Sequence, residues 1–278
     1  MAYKTVLTIT GVSGGDRDIK LAAKLSEEIG AHLSVLVVAL AAPPPIGDYA
    51  APMSDTWMEE RQADIDRLEQ RTAAISDLLA PMEISADVTN TYPEIAWADE
   101  IIGRRARYAD MTVVGPDLLS GETLKEKTIE GALFSSGRPL LLVPEGATAT
   151  LRPKNVMVAW DSRIEASRAM REALALLVAA EDVRLVLVDP VEGESFQGEE
   201  PGADAATYLV RHGVKITVDR LPSLGRSVAE IVKRHAIDTG ADLLVMGAYG
   251  HSRLRERIFG GVTKSMLEEV PLPILMAR

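Results

Sequence analysis

The chain has 278 residues, no cysteine, 47% hydrophobic and 26% charged residues, and a formal net charge of −11. The length suits two domains of ordinary size, and the composition is that of a globular protein with a core in each half. The acidic balance speaks against wrapping nucleic acid, and the missing cysteines remove disulfides, thiolate metal sites and cysteine nucleophiles.

In chain order, YKTVLTIT is a compact β-prone run, and a helix is expected from about Asp16 to Ile29 with Leu21, Leu25 and Ile29 on one stripe. Its opening, MAYKTVLTIT, carries a charge inside a short apolar stretch and does not read as a signal peptide. Gly30 stops the helix and HLSVLVVAL gives a second strand, too short in its apolar part to span a bilayer. A cytoplasmic location without a membrane partner is therefore expected. AAPPPIGDYAAP follows, then a long helix with Ile65, Leu68, Thr72, Ile75 and Leu79. MEISADVT is read as a strand, then a helix with Ile95, Ala98, Ile101 and Ile102 inward, then YADMTVVG as a strand. A short helix and RPLLLVPE close the first set.

From Pro153 the order repeats. KNVMVAW is a strand, and a helix is expected over Ser162 to Ala180, with Ser162 and Glu165 as a capping box and Ala166, Met170, Ala173, Leu174 and Leu177 inward. VRLVLVD, the loop EGESFQGEEPGAD, VKITVDRL, a helix with Val228, Ile231 and Val232 inward, GADLLVMG and LPILMAR complete the second set. Domains are expected at 1–147 and 153–278, parted by the polar stretch around Gly146 to Arg152. Strands that alternate with helices and are apolar nearly throughout imply parallel sheets covered on both faces, so the fold class is α/β with two tandem doubly wound domains.

In such sheets a ligand sits at the carboxyl ends of the strands, where the strand order reverses. In the second copy strand one ends in Trp160-Asp161-Ser162, and strand four runs into GAYGHSRLRERIFGGVT. Gly247, Gly250, Gly260 and Gly261 let main-chain amides approach an anion with no Cβ in the way, and a helix N-terminus adds further donors. Thr263 adds a hydroxyl, while Arg253, Arg255, Arg257 and Lys264 are read as a solvated face.

This stretch resembles the nucleotide loop of the universal stress protein family, written G-x-x-G, nine residues, then G and Ser or Thr. The strand-one Asp and the doubled domain fit the same resemblance. It implies a Rossmann-like, adenine nucleotide alpha hydrolase-like fold with strand order 3-2-1-4-5. It also implies ATP, or AMP or ADP, as ligand, with Mg²⁺ beside the phosphates. Asp161 would lie near the ribose and adenine, and Val188 and Met246 would flank the base. Gly247, Gly250, His251, Gly260, Gly261, Val262 and Thr263 would hold the ribose and phosphates. Gly261 stands where ATP-binding members usually carry Ser or Thr. The last strands would pair between the two domains of one chain, and the tandem could itself form a homodimer.

The first copy departs from this pattern. Gly11 aligns with Asp161, Pro116 removes an amide, and Asp117 would face phosphate with like charge; Gly131 survives only within GALFSS. That copy is expected to hold no nucleotide. The sequence has no P-loop, no G-x-G-x-x-G after a strand and no G-x-S-x-G elbow. His32, His212 and His235 show no ligand spacing, and no catalytic or metal residue is assigned. Two other readings stay open: a ligand-free interaction module, and slow ATP hydrolysis in the same crevice.

Overall fold

Strands without polar alternation bury both faces. In β1 (Thr5–Gly11) every residue between the ends is buried, and in β2 (His32–Val38) every residue after the first. The computed structural model describes residues 3–42, 55–191, 200–248 and 261–278. These form two units, Tyr3–Ser136 and Gly137–Arg278.

The first unit continues from β1 through α1 (Arg17–Ile29), β2, α2 (Asp55–Leu79), β3 (Ala86–Thr91), α3 (Ala98–Ala106), β4 (Met111–Val114), α4 (Pro116–Leu119) and α5 (Thr123–Glu130). Its parallel sheet has the order β3-β2-β1-β4. Gly30 ends α1 in the left-handed conformation, φ 64°, which glycine adopts without a Cβ penalty. Ile19, Ala22, Leu25 and Ser26 form the buried face of α1. Ile95 lies in a 3₁₀ turn ahead of α3 and is exposed, whereas Ala98 and Ile102 are buried as expected.

The second unit contains β5 (Leu140–Leu142), β6 (Asn155–Ala159), α6 (Ile164–Glu172), α7 (Leu174–Ala179), β7 (Asp182–Val188), α8 (Ala203–Arg211), β8 (Ile216–Leu221), α9 (Val228–Asp238), β9 (Leu243–Gly247), α10 (Gly261–Glu268) and β10 (Ile274–Ala277). The order β8-β7-β6-β9-β10 is parallel and realises the expected 3-2-1-4-5. The strand that closes the first sequence repeat, β5, belongs to this unit. It pairs antiparallel with β10, Ile274 opposite Leu142 and Met276 opposite Leu140.

Two expectations about the helix after β6 fail. Ser162 does not open a capping box: it has φ 63°, and α6 begins at Ile164. The helix also breaks at Ala173, giving α6 and α7 in place of one rod. The capping box lies at α9, where Ser227 accepts from the Glu230 amide and Glu230 accepts from the Ser227 amide at 2.9 Å. That start turns Ala229, Val232 and Ala236 inward and leaves Val228 exposed.

One device is repeated in both units. Asp110 Oδ2 accepts the amides of Lys4 and Thr5 at 2.7 and 3.0 Å, and Asp242 Oδ2 accepts those of Lys154 and Asn155, both at 2.9 Å. Each carboxylate satisfies the amides that open the central strand. No described helix is long and apolar enough to cross a membrane.

Candidate functional site

In the second unit the chain leaves β6 toward β7 on one side and β9 on the other, so the order reverses between β6 and β9. Ala159 of β6 is level with Met246 of β9 and with Val186 of β7. Asp161, Val188 and Gly247 therefore all emerge at one carboxyl edge of the sheet, with Met246 buried just beneath it.

Asp161 follows β6 with its carboxylate 58% exposed. Its Oδ1 accepts the Arg163 amide at 3.0 Å, a local turn that carries the chain into α6 and forces Ser162 into positive φ. Oδ2 lies 3.7 Å from Arg163 Nε. The β7–β8 end of this edge is shaped by Asp189, which follows Val188 with φ 46° and accepts the Ser223 amide at 2.9 Å. These two hydrogen bonds with Ser223, side chain and amide, hold the Asp189 carboxyl below its usual range.

Gly247 has a packing reason of its own. A Cβ there would lie 2.5 Å from the Ala166 amide nitrogen and 2.6 Å from the Glu165 carbonyl carbon. Its bareness lets the first turn of α6 close onto β9 beside the crevice. Gly250, His251 and Gly260 lie outside the described residues. Gly261 opens α10, with nothing within 4 Å of where its Cβ would be. Val262 is half-buried and Thr263 buried in the same turn. The helix is tied to α9 through Lys233, whose Nζ donates to the Ser265 carbonyl at 3.1 Å and to Glu269 at 2.9 Å. Among the described residues no group of three or more acidic or histidine side chains is placed to hold a metal ion.

The matching edge of the first unit is built differently. After β4, the amides of Asp117 and Leu118 point at the Asp18 carboxylate, each at 2.9 Å, and Asp18 is only 2% exposed. The residue comes from the first turn of α1, which reaches across to β4. Burial pushes its carboxyl above the usual range, against the opposing pull of those two amides. Asp117 in turn accepts the Arg17 amide at 3.1 Å and Arg17 Nε at 2.7 Å. A Cβ on Gly115 would sit 2.3 Å from Asp18 Oδ1, and one on Gly15 2.5 Å from Asp117 Oδ2. The amides that follow strand four are thus already saturated by the protein's own carboxylate, which the sequence reading missed. Gly131 is no loop remnant either. It is buried where α5 passes α3, and a Cβ on it would lie 2.4 Å from the Asp99 carbonyl oxygen.

The family model described as the universal stress protein family matches residues 153–278. A universal stress protein of Synechocystis sp. is 29% identical over 154 residues, covering 54% of this chain and 50% of its own length. The chain thus spans about half of that relative. A Staphylococcus epidermidis relative is 26% identical over 141 residues, 45% of this chain and 84% of its own. The crystal structure of a universal stress protein from Archaeoglobus fulgidus shares the fold over 100% of this chain and 97% of that one, with a TM-score of 0.63 at 15% identity. Residues 153–278 thus form a domain of the universal stress protein family.

Proposed function

We propose that the second unit binds ATP, or AMP or ADP, at the crevice between β6 and β9, and that occupancy regulates what the tandem binds or how it is shaped in a stress response. One contrast carries the reading. At this edge Asp161 offers an exposed carboxylate, while the corresponding edge of the first unit is filled by Asp18. Asp161 would hold the ribose side, and Val188 and Met246 the base. The amides around Gly247, Gly250, His251, Gly260, Gly261, Val262 and Thr263 would face the phosphates. Mg²⁺, if carried, would arrive on the phosphates, since the described side chains supply no cage for it.

The test is a thermal shift of the full chain with ATP, ADP and AMP. A ligand that binds only the folded state stabilises it by about 2.7 kcal/mol at a hundredfold excess over Kd. The shift should be lost in Gly250→Asp and reduced in Asp161→Ala. No shift with any of the three nucleotides would favour the ligand-free interaction module instead. Release of phosphate that survives Asp161→Ala and His251→Ala would remove both residues from any hydrolytic role. Cytoplasmic placement and pairing of two tandems belong to the same reading, and are checked by a fluorescent fusion and by mass in solution.

A further inference from the structure

We propose that the first unit carries a second, separate site, a serine-nucleophile acyl-transfer centre made of Ser85, His32 and Asp87 at the amino-terminal edge of its sheet. Three residues from β2, β3 and the position just before β3 meet there. Asp87 lies on β3, two positions after Ser85 and so on the same side of the chain, and His32 is the first residue of β2. Ser85 Oγ is 2.7 Å from His32 Nδ1, and His32 Nε2 is 2.8 Å from Asp87 Oδ1. A carboxylate can only accept from the ring, so Nε2 carries the proton and Nδ1 presents its lone pair to the serine hydroxyl. The nitrogen facing the hydroxyl is thus free to act as a general base, with the two ring nitrogens in the reverse of the roles they take in the Ser-His-Asp template. Asp87 is held from behind by Arg105, whose NH2 donates to Oδ2 at 2.9 Å and to Ser34 Oγ at 3.2 Å.

The constellation opens onto space. Two cavities, of about 140 and 390 Å³, are both bounded by His32, and the larger is also bounded by Ser85. Its volume suits a small ligand. Ser26 lines it with a hydroxyl that is buried and has no hydrogen-bond partner among the described residues. Lys4, Glu27 and Glu83 also line it, and the two carboxylates disfavour anionic substrates. The substrate class is accordingly a small neutral ester. The equivalent strands and helix of the second unit carry a different polar cluster, Arg184, Asp219 and His235. The second unit has Asp182 at the start of β7 where β2 has His32, and Lys215 and Thr217 around Ile216 where β3 has Ser85 and Asp87 around Ala86.

In the step inferred, Ser85 Oγ attacks the ester carbonyl and its proton passes to His32 Nδ1. Collapse breaks the ester C–O bond and the leaving alcohol takes that proton. Water, activated by the same nitrogen, then hydrolyses the acyl-serine and restores Ser85. Asp87 is a positioning residue, acting through His32.

The experiment uses the full chain with a fluorophosphonate probe, which forms a Ser–P bond with loss of fluoride, and with p-nitrophenyl acetate. Peptide mass spectrometry should place the label on Ser85. Labelling and ester turnover should be abolished in Ser85→Ala and fall about a hundredfold in His32→Ala, the size of a general-base contribution. In Asp87→Ala the ring should lose its Nε2–H preference, read from imidazole nitrogen NMR shifts, while circular dichroism reports the fold. No label on Ser85 of the folded parent overturns the proposal, as does a rate unchanged in His32→Ala.

Discussion

Replacing Asp18 by Ala tests whether the crevice of the first unit is closed by the protein's own carboxylate. The side chain is 2% exposed and accepts two amides at 2.9 Å, from residues about a hundred positions away. Truncation leaves both donors without a partner, at about 1–3 kcal/mol each when water cannot reach them. Against this, the variant no longer buries a carboxyl that burial already disfavours. The net expectation is a loss of about 2–4 kcal/mol, with Asp18→Asn, which keeps one acceptor, between the two. Urea denaturation of the full chain followed by circular dichroism reads the difference. The pH dependence has a definite sign. The folded carboxyl titrates above 3.8, so protonation stabilises the native state most at low pH, and that contribution is lost as pH rises through the folded value. The parent should therefore lose stability relative to Asp18→Asn over that rise. A change within about 0.5 kcal/mol for Asp18→Ala, the range of an ordinary surface substitution, would refute the reasoning.

Three other outcomes follow from the second unit. Gly247→Ala should cost about 1–3 kcal/mol, because the new methyl meets the main chain of Glu165 and Ala166 and the Glu165 Cβ, none of which can swing aside; an unchanged urea midpoint would contradict that contact. Gly261→Ser meets nothing within 4 Å, so stability should hold to about 0.5 kcal/mol, while the thermal shift with ATP grows if a hydroxyl is what this loop lacks. Burial raises the Asp219 carboxyl, but hydrogen bonds from His235 at 2.8 Å and Arg184 at 3.2 Å prevail and hold it below 3.8. Its stabilisation is present above 3.8 and is lost as pH falls through the depressed value, so Asp219→Asn should flatten the acid limb of a urea-midpoint profile taken from pH 5 to pH 2.

The architecture was legible because buried parallel strands leave a simple mark. Runs such as Val35–Val38 are apolar on both faces, and Gly30 punctuates the turn before their strand. What escaped was decided by tertiary contacts or by backbone geometry. Ser162 and Glu165 have capping-box spacing, yet the Asp161 carboxylate takes the Arg163 amide first and twists Ser162 out of the extended conformation a cap needs. The box at Ser227 went unnoticed because its buried stripe includes two alanines, which give a weak apolar signal. Gly131 and Gly247 show that spacing alone cannot tell a glycine facing an anion from one that lets two backbones touch. Asp18 looked like any acid in a first helical turn, since its partners lie in another strand's loop. Asp161, Val188, Met246 and Gly247 lie at one edge of the sheet, while Gly250, His251 and Gly260 lie outside the described residues. Ser85, His32 and Asp87 are scattered along the chain and become neighbours only through strand register.

The antiparallel pairing of Leu140–Leu142 with Ile274–Ala277 bears on how this chain can be dissected. A fragment begun at Pro153 would leave behind the ribbon that zips along its terminal strand, and would display bare carbonyls and amides beside Ile274, Leu275 and Met276. Such a rim recruits whatever extended segment it meets, another copy of itself included. A fragment begun at Gly137 brings its own cover.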